Sequence, residues 1–148
     1  MIINRRLIPL LLLSVVLTIP AVAAEREADA VSVARDFEQL AGFYRQWSDL
    51  EVQARSLVRR VFDDLLATAR GYIENWRMDP EVLGLDDGIL GDILLQTEVI
   101  ESQLNMLENS GSGGEINEVT ATDYYGVELD KAADQFYELG ELFDTAGI

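Results

Sequence analysis

The sequence predicts an all-α fold, an antiparallel bundle of about four amphipathic helices. Apolar residues recur at spacings of three and four along four separate stretches, which is the period of a helix with one face toward a core. The first two of these stretches contain no proline, and no segment alternates with the period of two that a half-buried strand requires. Short connections join the stretches, and amphipathic helices joined in that way pack as antiparallel neighbours.

Ahead of the first helix stands a segment with a different character. Asn4-Arg5-Arg6 is followed by an apolar run from Leu7 to Ile19, then by Pro20 and the small residues Ala21-Val22-Ala23-Ala24. A basic start, an apolar middle and a small-residue end are the three parts of an export signal. Residues 1–24 are therefore expected to be cleaved, leaving 25–148 as a single acidic helical domain in the periplasm or outside the cell. The apolar run is shorter than the roughly 20 residues a membrane span needs and is broken by Pro9, so no membrane insertion is expected after cleavage.

The first helix is expected at about 26–47, where Ala30, Val33, Phe37, Leu40, Tyr44 and Trp47 form the stripe and Val31, Ala34 and Ala41 widen it. The second, at about 49–77, carries Leu50, Ala54, Leu57, Val61, Leu65, Ala69, Tyr72 and Trp76. Tyr44, Trp47 and Leu50 are successive threes, a slip that interrupts a regular stripe. Ser48 with Glu51 three positions on is a capping-box pattern, so a helix start is expected near residue 49. The alternative is one fused helix over 26–77, whose stripe the two later helices could cover fully only by lying end to end along it, so that a homodimer would bury the remainder.

Met78-Asp79-Pro80 ends the second stretch, because a residue before proline is driven out of the helical region. A third helix at about 88–108 follows Asp86 or Asp87 as cap and presents Leu90, Ile93, Thr97, Ile100, Leu104 and Leu107. Residues 109–119, centred on Ser110-Gly-Ser-Gly-Gly114, read as a flexible linker. Thr120 with Asp123 is a further capping pattern, opening a fourth helix at about 121–145 with Tyr125, Leu129, Ala132, Phe136, Leu139 and Phe143 inward.

Composition limits the chemistry. The chain has no histidine and no cysteine, which removes disulfides, haem, zinc, copper and iron–sulfur ligation, and nucleophile pairs that rely on imidazole or thiolate. No cofactor is expected. Charge is strongly negative: 11 bases stand against 27 acids, and removal of Arg5 and Arg6 leaves nine bases and a net charge of −18. A polyanion of this kind is a poor ligand for nucleic acid. Residues 25–78 hold ten acids and eight arginines, whereas 79–148 hold 17 acids and Lys131 alone. That imbalance reads in two ways, as a hydrating surface suited to high salt or as a docking face for a basic protein partner. Uniform solvent adaptation would have acidified residues 25–78 as well, which favours docking.

The candidate docking residues are Glu98 with Glu101, Asp130 with Asp134, and Glu138 with Glu141, each pair on one helical face outside the apolar stripe. With water as their neighbour they lack the apolar pocket that raises a carboxyl pKa for acid–base work, and Glu51 is the one acid placed near a stripe. Two alternatives to non-catalytic binding stand beside this. Arg35, Arg45, Arg55 and Arg59 would clamp an anionic metabolite in a small helical enzyme. Oxygens of Asp86, Asp87 and Asp92, or of Glu108, Asn109, Glu115, Asn117 and Glu118, would bind calcium weakly, though neither group fits the EF-hand pattern. Phe43, Tyr124 and Tyr137 fall off the central stripe and are candidate exposed anchors.

Overall fold

In the computed structural model the four periodic stretches are four long helices. The structure describes residues 26–110, 116–117 and 119–148; the expected export signal and positions 111–115 and 118 of the expected linker lie outside them. Helix α1 spans Arg26–Arg45, and a single 3-10 turn, Trp47–Asp49, separates it from α2, Val52–Met78. A short α3, Pro80–Leu83, precedes α4, Asp87–Ser110, and a π-helical turn, Thr120–Tyr125, runs into α5, Gly126–Ala146. No strand occurs among the described residues, and no helix there is long and apolar enough to cross a membrane. Helix α1 packs on α2 and α5, and α4 packs on α2 and α5, which closes an antiparallel four-helix ring.

The junction after α1 settles the one-helix alternative. Leu50 and Glu51 are extended, so the chain leaves the helix and turns back, and the uncovered remainder of the stripe that called for a dimer does not arise. The reason lies in the slip at Tyr44, Trp47 and Leu50. A 3-10 turn has three residues per turn, so this spacing puts both Trp47 and Leu50 into the core. Trp47 stacks on Tyr44 at 5.2 Å, and Arg55 both donates to the Trp47 carbonyl at 3.0 Å and lies over its ring at 5.4 Å. The capping box is not formed. Ser48 lies inside the turn, and Glu51 holds the N-cap position without a side-chain cap bond.

Two other starts differ from expectation in detail. Asp79 is extended as the following proline demands, and its Oδ1 accepts from the Glu81 N–H at 2.9 Å. With Pro80 at the first helical position, this builds α3 between the second and third expected helices. At the last helix the cap is Asn117 rather than Thr120: its Oδ1 accepts from the Thr120 N–H at 2.8 Å and its carbonyl from the Ala121 N–H at 2.9 Å. Both Tyr124 and Tyr125 then reach the end of α4, Tyr125 donating to the Ser110 carbonyl and Tyr124 sharing a hydrogen bond with the Ser110 hydroxyl, each at 2.6 Å. Helix α5 ends at Gly147, whose φ of 75° allows its N–H to reach the Asp144 carbonyl and that of Ile148 to reach Phe143.

The core has three aromatic layers. Tyr44 stacks on Tyr125 at 5.1 Å and meets Phe62 edge-on near the α1–α2 turn, Phe37 stacks on Phe136 at 5.6 Å in the middle, and Trp76 contacts Tyr72 and Phe143 at the far end. Phe43, expected as an exposed anchor, is buried in this core. Tyr124 and Tyr137 are half-buried and pack against it.

Candidate functional site

The acidic residues singled out in the sequence fall into two groups. Glu101 accepts from the Arg77 guanidinium at 2.8 Å, and Asp130 is bonded to Arg45, so these two serve the bundle rather than facing water alone. Glu98, Asp134, Glu138 and Glu141 are exposed and engage no ion pair among the described residues. Glu138 and Glu141 of the second group, neighbours on α5, are joined by Asp92 of α4. A shallow groove of ≈ 440 Å³ runs between them, with Asp92 on one wall, Glu138 and Glu141 on the other, and Leu95, Gln96 and Leu142 between. Leu95 is 60% exposed, and Val99 lies one turn further along the same face of α4 and is also exposed. Gln96 is fixed across the groove by donating to the Gln135 carbonyl at 2.9 Å. An apolar strip with carboxylates on both sides and no cation beside it suits a complementary surface that carries both apolar and basic groups.

The arginines do not form one clamp. Arg45 donates to the Gly126 carbonyl at 3.0 Å and is paired with Asp130 on α5, while Arg55 is folded over Trp47 at the α1–α2 turn. Arg35 is exposed on α1, and Arg59 lies near the hydroxyls of Tyr44 and Tyr125. Arg70 and Arg77 reach from α2 to Glu108, Asn105, Glu101 and Thr97 on α4. The more basic pair of helices thus answers part of the charge of the more acidic pair. Among the described residues no three acids gather as a metal site would require, and Glu115 and Glu118 of the calcium alternative lie outside them.

One site was invisible to a reading that placed acids outside the apolar stripe. Asp29 and Asp36 on α1 are both buried, and Asp36 has 0% exposure with neither carboxylate oxygen hydrogen-bonded. Burial pushes the Asp36 carboxyl up to about 7. The contrast with the other buried polar groups is sharp. Thr97 donates to the Leu94 carbonyl at 2.7 Å and accepts from Arg77, and Gln103 donates to the Glu128 carbonyl and carboxylate, both at 2.9 Å. The signal for Asp36 was present: Asp29, Val33, Asp36, Leu40, Phe43 and Trp47 recur at four, three, four, three, four, a second stripe beside the first. A helix with two packed neighbours buries both.

Set against known protein families, characterised proteins and solved structures, the chain matches none.

Proposed function

We propose that this is an exported, non-catalytic binding protein whose α4–α5 face docks a basic protein partner. The groove supports this: Asp92, Glu138 and Glu141 rim the exposed Leu95 and the half-buried Leu142, and no ion pair among the described residues includes them. The like charges repel one another and attract a lysine- or arginine-bearing surface, while the apolar strip supplies the dry centre that a specific contact needs. Export is supported by the leader pattern over residues 1–24, and binding without catalysis by a composition that lacks histidine and cysteine.

The test is affinity capture from the host's envelope extract at low salt, with the wild-type protein and the double variant Glu138→Lys/Glu141→Lys side by side. The reading expects a basic protein held by the wild type, released steadily as salt rises and not retained by the variant. Equal recovery on both baits, or no basic protein on either, would defeat it.

A further inference from the structure

Asp36 sits midway along α1, on the face toward α2. A carboxylate without a partner in an apolar interior is far more costly than the neutral acid, so this position favours the protonated form. Neither of its carboxylate oxygens is hydrogen-bonded, and no ion pair among the described residues includes it. On α1 itself the nearest acid on this face is Asp29, seven residues earlier and also buried. From α2 it is faced by Tyr72, whose hydroxyl is pushed up to about 12 by burial together with Asp29 and Asp36. From α5 the titratable groups that engage α1 are taken up elsewhere, Asp130 by Arg45 and Tyr137 by Glu38 and Arg35. Burial accounts for the shift of Asp36, and no cation counters it.

The seam between α1 and α2 is fastened at its ends. At the turn, Tyr44, Trp47 and Phe62 interlock. At the far end Arg26 of α1 is bonded to Asp79 and, at 3.0 Å, to Glu81. Burial alone would raise the Asp79 carboxyl, yet the Glu81 N–H and Arg26 hold it below the ordinary range, so this clasp stays charged across neutral pH. Between the two fasteners lie Asp29, Asp36 and Tyr72. Beside Tyr72 the surface of α2 has a hollow of ≈ 240 Å³ lined by Thr68, Gly71 and Asn75 as well, so Tyr72 has solvent-accessible space on one side and faces Asp36 on the other.

We propose that Asp36 is a proton-held latch: protonated, it stays in the core with the middle of the α1–α2 seam shut, and on losing its proton it is hydrated by local opening beside Tyr72 while both ends stay fastened. The proton is held up to about 7 in the shut seam. In an open, hydrated seam a carboxyl lets go at about 4. Opening therefore becomes easier as pH rises from about 4, and the gain levels off above the shut-seam value. In an exported protein the surrounding medium would set this state.

Hydrogen exchange of the full chain at a series of pH values, corrected for the intrinsic exchange rate, tests the latch. Between about pH 5 and pH 8 the opening of residues 33–40 and 65–72 should rise roughly 50- to 100-fold, and in Asp36→Asn it should stay flat. Amides near Tyr44 and Phe62 should not follow. Carbon-13 titration of the Asp36 carboxyl in the wild type, expected to show a midpoint near neutrality, decides the matter should the variant fail to fold. A midpoint below about pH 5, protection that does not change with pH, or the same pH dependence in Asp36→Asn would overturn the proposal.

Discussion

Helix α1 has two partners, and it meets them in opposite ways. Toward α5 it is lined with small residues, and a side chain on Gly140 would come within 3.3 Å of Val31 and 3.6 Å of Ala30. The two backbones are therefore close, and Phe37 on Phe136 fills the space that remains. Toward α2 the same helix offers Asp29 and Asp36, with aromatics at one end of the seam and an ion cluster at the other. One seam is close-packed and apolar at its centre, with the Arg45–Asp130 pair half-exposed at its edge. The other contains a titratable group whose charged form the interior rejects. A bundle that puts both on one helix keeps a rigid half and a half that is free to respond.

Substitutions on the rigid side should be costly and insensitive to pH. Phe136→Ala removes a fully buried ring and leaves a cavity against Phe37, so unfolding should become easier by about 3–5 kcal/mol, read as a lower urea midpoint at acid and neutral pH alike. A loss confined to one end of the pH range would mean that the α1–α5 seam is not a pH-independent frame. Gly140→Val should cost less, about 1–3 kcal/mol, because its first side-chain carbon would already lie 3.3 Å from Val31 and the added methyls would push α1 and α5 apart. Calorimetry that found this variant as stable as the wild type would show the close approach to be relaxed in solution.

The contrast between the seams also explains what could be read in advance. Repetition of apolar residues every three or four positions determined the number, order and approximate limits of the long helices, and the slip at Trp47 marked the place where α1 ends. Capping residues were less legible. Ser48 and Thr120 have the right chemistry, but a cap is decided by local backbone geometry, and Glu51 and Asn117 took those positions. Asp36 was missed because an acid was counted as a surface residue, whereas a helix between two neighbours has little surface to offer on that side. Glu138 and Glu141 of the α4–α5 groove belong to the docking face expected from the sequence, but Asp92 reads there only as a calcium ligand and Leu95 not at all, since a leucine beside an apolar stripe is indistinguishable from core until the helices are placed.

Asp36 decides whether the α1–α2 seam answers to pH, and the pH dependence of global stability in wild type and Asp36→Leu measures that directly. In the wild type the folded-state value of about 7 lies above that of the unfolded chain, so the contribution is fully present at acid pH and is lost as pH rises through neutrality. Urea unfolding should show the wild type losing about 2.5 kcal/mol relative to Asp36→Leu between pH 5 and pH 8, with the variant the more stable protein at the upper end. Two curves that run parallel over that range would contradict the account, because Asp36 would then carry no proton that folding depends on.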